Sequence, residues 1–344
     1  LNNKYYYSIL ENDSEKDLYK KIYNGIKNFD KEIEIDKKWS TKQIHELYIR
    51  ILMDTPLFFF VNQNKLSIKK TLKKVIIEPL YIYDKEESKE KYIKVRKITD
   101  KIIDNIKVKN LNTFQTEKYF HDSIIKNVEF VEHDRFYSPN AHSIMGVFIE
   151  KRAVCEGISK AFKLLCDLVS IKCMVAYGKT NQGFNIKTDS QHAWNIIKIN
   201  NKSYHIDISW DNIYINGKKY PNYKYFNVTS NYIRKTHQIT NVMPLCDNYY
   251  FNYYCYTKSV LRNYNDVKEF IENNYEKENI LYFKLESDLV LKSINEIKLK
   301  MNYFIMLKQA KNITNISKFN IIINKADMAG MIIKNEGGYY GKKK

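Results

Sequence analysis

Glycine and proline are scarce in this chain, 10 and 5 among 344 residues. That scarcity excludes collagen-like, linker-rich and low-complexity architectures. Cysteine is sparse and odd in number, with single residues at 155, 166, 173, 246 and 255. Their spacing matches neither a zinc-ligand pattern nor a disulfide framework, so at least one thiol has no partner within the chain. No apolar run approaches the roughly 18–20 residues of a membrane-spanning helix. There is no glycine-rich phosphate loop. Acidic residues are outnumbered, 39 against 57 lysines and arginines, which leaves a net charge of +18. Such a balance attracts polyanions. The lysines are dispersed, however, with only short clusters such as Lys69, Lys70, Lys73 and Lys74 or the tail Lys342 to Lys344. A solvated surface is therefore the first reading, contact with a polyanionic surface such as a cell wall the second, and nucleic acid the weakest.

What remains is the profile of a globular protein, 44% hydrophobic and 28% charged. The length allows one large domain or two to three small ones. The 29 tyrosines, with abundant lysine, asparagine and isoleucine, read as AT-rich coding and point to a low-GC bacterium. The chain starts at Leu1, which fits either a removed leader or trimming. Compartment is left open, with a secreted or cell-surface place ahead of a cytoplasmic one.

Periodicity predicts helices over 14–28, from the Ser40/Gln43 capping box to Pro56, over 85–108, and around Tyr119 to Ile125. Strands are expected at Leu57 to Val61 and Val75 to Ile77. An apolar helix over 155–169 precedes strands at 173–178, 192–199 and 203–209. Beyond Pro244 the pattern gives a helix (265–275), a strand (280–285), a long helix (288–310) and a strand at Phe319 to Ile323. One helix followed by successive antiparallel strands indicates an α+β fold. Boundaries are expected at 1–108, 109–244 and 245–344, with the central segment carrying the chemistry.

Cys155 opens the apolar helix, in AVCEGISKAFKLL. A helix N-terminus offers unpaired N–H groups and partial positive charge, which favour a thiolate nucleophile and suit an oxyanion. Gly157 would admit a close approach of substrate or backbone. The segment QHAWNIIKINNKSYHIDISWD reads as a β-hairpin about Asn200–Asn201. Paired positions then sum to 401, so His192 and Asp207 fall on one face as diagonal neighbours. Asp207 would orient the imidazole, leaving its second nitrogen for the thiol. His205 and Asp211 have the same parity, so spacing alone keeps several pairings open.

The order of a helix-opening cysteine, then HAWN, then HIDISWD, resembles the transglutaminase-like superfamily, its bacterial branch in particular. The MVAYG strand between them and YFNVTSNYIRKTH (225–237) after them fit the same pattern, and the likeness covers residues 113–240. The resemblance implies a papain-like, transglutaminase-like α+β core, with the cysteine helix packed on an antiparallel sheet and α/β regions flanking it. It further implies Cys155 as nucleophile, His192 as general base and acid, and Asp207 as orienting acid. Trp194 and Trp210 would wall the cleft or serve as core aromatics. Two features depart from the pattern. Ser170 stands where a glycine is usual, and no side-chain oxyanion donor is identified, with Tyr137 and Ser143 as upstream candidates. The implied activity is thiol-dependent acyl transfer or hydrolysis on protein or peptide amides, covering cross-linking, deamidation and proteolysis. No cofactor and no metal are expected; His121, His133 and His142 lack zinc-ligand spacing. The other class is a non-catalytic binding or scaffold module of the same fold.

Overall fold

The Ser40 capping box forms as expected, its hydroxyl accepting from the Gln43 N–H while the Gln43 side chain accepts from the Ser40 N–H, in a computed structural model describing residues 4–131, 138–180, 190–240, 242–311 and 319–334. Contacts divide the chain into two compact units, 1–221 with 225–248, and 222–224 with 249–344. The boundary proposed at 108/109 lies inside the first unit, and that at 244/245 lies just ahead of the second unit's main segment.

The first unit begins with α1 (Tyr5–Ser8), α2 (Asp13–Asn28), β1 (Ile33–Asp36), α3 (Thr41–Asp54), β2 (Val61–Lys70) and β3 (Lys74–Tyr81). The three strands form an antiparallel sheet in the order β1-β3-β2. The run Leu57 to Phe60, expected as strand, is instead a pair of turns, with the Phe58 N–H on the Thr55 carbonyl and the Val61 N–H on the Phe58 carbonyl. Phe58, Phe59 and Phe60 are all buried. A continuous apolar run signals burial, and a strand is one of several ways to achieve it.

Next come α4 (Lys85–Lys109) and α5 (Thr113–Asn127), the short strands β4 (Glu129–Phe130) and β5 (Arg152–Ala153), and α6 (Cys155–Leu168). Then follow β6 (Lys172–Thr180), β7 (Ser190–Ile199), β8 (Lys202–Ile206), β9 (Asn212–Ile215), β10 (Lys218–Pro221), α7 (Ser230–Ile233) and β11 (His237–Ile239). Strands β11-β6-β7-β8 form a four-stranded antiparallel sheet, and α6 packs against β6 and β7. This is the helix-on-sheet arrangement of a papain-like, transglutaminase-like core. Ala161, Phe162, Leu165 and Cys166 of α6 are fully buried, as are Ala176, Trp194, Ile197 and Ile206 of the sheet.

The second unit contains α8 (Tyr253–Tyr256), β12 (Val260–Leu261), α9 (Tyr264–Asn274), β13 (Ile280–Leu285), α10 (Ile294–Lys311), β14 (Phe319–Ile323) and β15 (Ala329–Lys334). Its sheet runs β12-β13-β15-β14. Ile297, Met301 and Ile305 bring one stripe of α10 into its core. The helix expected from residue 288 starts six residues later, because Ser293 caps it by accepting from the Glu296 N–H. Residues 287–289 form a separate 3₁₀ turn.

Candidate active site

Cys155 is the first residue of α6, after the extended N-cap Val154. The turn Pro139–His142 packs against this end of the helix. A Cβ at Gly157 would overlap the carbonyl oxygen of Ala141, so the close approach that the glycine permits is to neighbouring backbone. The Val154 N–H donates to that same Ala141 carbonyl at 3.1 Å, fixing where the helix starts. Ser143 spends its hydroxyl within its own turn, donating to the Asn140 carbonyl at 3.1 Å and accepting from the Met145 N–H. Tyr137 and His133 lie outside the described residues. Cys155 itself is half-buried and packs against the apolar cluster that includes Ala193 and Trp194.

The hairpin forms with the register read from sequence, Ile199 opposite Lys202 through Asn195 opposite Ile206. Asn200 and Asn201 take φ of 47° and 62°, the left-handed pair that a primed turn needs. The ladder with β8 ends at Asn195, and β7 continues toward His192 paired with β6, where His192 faces Gly178. Beyond Ile206 the chain peels away, and the Asp207 N–H donates to the Tyr225 carbonyl at 3.2 Å. His192 Nε2 and Asp207 Oδ2 meet at 2.6 Å. The alternatives of equal parity are engaged elsewhere. His205 accepts from Trp194 Nε1 at 3.0 Å through Nδ1, so its proton sits on Nε2, beside the Ser230 hydroxyl at 3.2 Å. Asp211 lies 3.2 Å from His121 Nε2 and accepts from the Tyr225 N–H at 2.6 Å.

Asp207 is buried and holds four partners. Oδ2 also meets His237 Nε2 at 3.0 Å, while Oδ1 accepts from the Ser209 hydroxyl at 2.6 Å and the Trp210 N–H at 3.2 Å. Burial opposes ionisation, but the His192 charge and the bonds from both histidines hold the carboxyl far below the usual carboxylate range. For His192, burial opposes protonation. The charges of Asp207 and Cys155, and hydrogen bonds with both, outweigh it and raise the imidazole to about 10. With Nε2 committed to Asp207, Nδ1 is the nitrogen that remains for the sulfur.

Trp194 is fully buried, its ring lying nearly parallel to the His192 imidazole at 6.2 Å between centroids. Of the two readings open for it, cleft wall and core aromatic, that burial fits the second. Trp210 is only part-buried and its ring lies 5.4 Å from His192. His237 was not singled out from sequence. Its only signal was its place at the end of YFNVTSNYIRKTH, since the pairing of β11 with β6 that delivers it is long-range.

Beside Cys155, Glu156 is held by His142 Nδ1 at 2.8 Å and Lys160 Nζ at 2.6 Å. Burial opposes its ionisation, yet the Lys160 charge and the His142 hydrogen bond lower it to about 2. Among the described residues, His192, Asp207 and His237 bring ligand-type atoms within 4.8 Å of one another. Donors on a tetrahedral zinc would stand about 3.3 Å apart. The separations of 2.6 and 3.0 Å on one oxygen are those of hydrogen bonds, and we read the set as such. None of the five cysteines forms a disulfide. Burial first of all raises the Cys166 and Cys255 thiols, and it pushes Cys246 up to about 12.

No helix among the described residues is long and apolar enough to cross a membrane. No curated protein matches the chain. Among solved structures it is similar to one described as a TGase, with 16% identity and a TM-score of 0.30 over 45% of this chain and 46% of that one. It is also similar to a candidate cysteine protease from Cytophaga hutchinsonii, with 14% identity and a TM-score of 0.28 over 42% of this chain and 61% of that one. The matched parts thus span about half the length of those structures. Residues 96–208, from within α4 to just past Asp207, match the family model for the transglutaminase-like superfamily. They form a domain of that superfamily.

Proposed function

We propose that the protein catalyses thiol-dependent acyl transfer or hydrolysis on protein or peptide amides, with Cys155 as nucleophile, His192 as acid and base, and Asp207 as the group that orients the ring. The observation that carries this reading is the His192 imidazole, held by Asp207 through Nε2 and interacting with the Cys155 sulfur at a helix N-terminus. The Cys155 thiolate attacks the amide carbonyl carbon, forming a C–S bond while the carbonyl electrons move to oxygen. First-turn N–H groups of α6 stabilise that oxyanion. The C–N bond then breaks, and His192 gives its proton to the departing amine. The resulting thioester is resolved by water, which makes the enzyme a hydrolase, or by a second amine, which makes it a transferase; His192 takes the incoming proton. Trp210, part-buried beside His192, borders the bound acyl group.

The test is selective alkylation. At pH 6, iodoacetamide should modify Cys155 ahead of the other thiols, including the exposed Cys255, as read by peptide mass spectrometry. His192→Ala should reduce the Cys155 rate at least tenfold. Equal, slow labelling of all five cysteines would leave the scaffold reading in its place. A glutamine-containing casein offered with a fluorescent amine then identifies the acceptor. Incorporation of the amine marks transfer, and ammonia or peptide fragments without incorporation mark hydrolysis.

A further inference from the structure

His237 shares one carboxylate oxygen with the proposed base. Its Nε2 lies 3.0 Å from Asp207 Oδ2, the oxygen that meets His192 Nε2 at 2.6 Å. An ionised carboxylate only accepts, so both imidazoles carry a proton on the nitrogen facing it. His237 is buried and held on every side. Its Nδ1 lies 2.8 Å from the Thr236 hydroxyl, which in turn sits 3.2 Å from the Tyr225 hydroxyl. Its ring packs 4.6 Å from Trp210, 5.0 Å from Trp194 and 5.2 Å from His192. Backbone pairing places it as firmly. His237 faces Thr180 across the β11–β6 ladder, and a Cβ at Gly178, two residues along, would overlap the Gln238 carbonyl. So rigid a mount, aimed at the one oxygen that holds His192, exceeds what packing alone requires.

We infer that His237 is a positioning residue of the thiol site, donating to Asp207 Oδ2 so that the carboxylate is fixed in place and its hold on the His192 proton is limited. This rests on the reading of Cys155, His192 and Asp207 given above. Two donors on one oxygen compete for the same electron density. Taking one away leaves the other the stronger bond, so His192 should hold its proton more tightly. The groups that bear on the pair are Asp207, Cys155 and His205, with Arg234 acting on His205.

The full chain with Cys155→Ser, which removes the sulfur's contribution and brings the midpoint into an accessible range, is titrated by imidazole NMR. His237→Leu should move the His192 midpoint upward by about one pH unit, and His237→Gln, which keeps a donor near the Nε2 position, should return it to within a few tenths. If the leucine variant does not fold, His237→Asn, too short to reach Asp207, serves in its place. An unchanged or lowered midpoint, or a glutamine variant that behaves like leucine, overturns the positioning role. The underlying reading fails separately, when Cys155 alkylation in the otherwise unaltered chain proves indifferent to His192→Ala.

Discussion

Glu117 is completely buried, and its Oε2 accepts from Asn227 Nδ2 at 2.8 Å while its Oε1 and the Asn227 Oδ1 have no hydrogen-bond partner. Buried acceptors without a donor are costly, and the cost on a carboxyl oxygen falls when it carries a proton. Burial does raise the Glu117 carboxyl, to about 8, against the lowering effects of the Asn227 bond and the His121 charge. A neutral acid at this position supplies the missing donor. The sign follows from linkage: the unfolded chain releases this proton near the ordinary 4.5, the folded chain keeps it to about 8, and stability falls across that window. Glu117→Gln replaces the O–H with an N–H and removes the ionisation. It should stabilise the protein at pH 8 by at least about 1 kcal/mol and change little at pH 4, as measured by urea unfolding at the two values. None of this was legible in sequence, where Glu117 is one acid in the polar-looking stretch TEKYF. His205 and Asp211 teach the same lesson. Their parity matched that of the site residues, and only the positions of Trp194 and His121 engaged them elsewhere.

Helix α6 carries the thiol, and both of its ends are set by backbone geometry. At the start, Gly157→Ala would drive a methyl group into the Ala141 and Ser143 carbonyls. We expect a loss of about 1–3 kcal/mol, with a Cys155 alkylation rate that falls more than the melting temperature alone would explain, since the helix start must shift. At the other end the chain closes in a Schellman motif. The Ile171 N–H donates to the Cys166 carbonyl at 2.9 Å and the Ser170 N–H to the Asp167 carbonyl at 3.2 Å. The motif requires a left-handed residue, and Ser170 adopts φ 59°. The departure from the family's usual glycine therefore leaves the turn intact and places a side chain in a strained region. Ser170→Gly should stabilise by up to about 1 kcal/mol, visible as a raised melting temperature with unchanged alkylation of Cys155. The Ser40 start of α3 was readable in advance, because a capping box is local chemistry. The turns over Leu57 to Phe60 were not, since apolar composition reports burial without reporting conformation, and the Ser293 cap that delays α10 was a local signal passed over in favour of the apolar period.

Across the whole molecule the ionisable groups set a pH optimum. His192, raised to about 10, and His121, raised to about 9, each add stability that is complete below the ordinary histidine value of 6.5 and lost as pH climbs through the raised one. Glu156, lowered to about 2, and Asp207, lowered further, add stability that is complete above their ordinary values and lost as pH falls through the lowered ones. Glu117 subtracts between 4.5 and about 8. Together these signs put maximal stability at a mildly acidic pH, between about 4.5 and 6.5. Unfolding midpoints measured from pH 3 to pH 11 should peak there, and a maximum at pH 8 or above would contradict the assignment. A cysteine at a helix start, a hairpin centred on two asparagines, and a histidine and an aspartate of like parity were all present in the linear chain, because period and turn chemistry belong to the backbone over a few residues. Which oxygen of Asp207 meets which ring, and that His237 arrives at the same atom from β11, had to await folding. Those contacts depend on strand pairing and close packing between distant segments, and no local pattern encodes them.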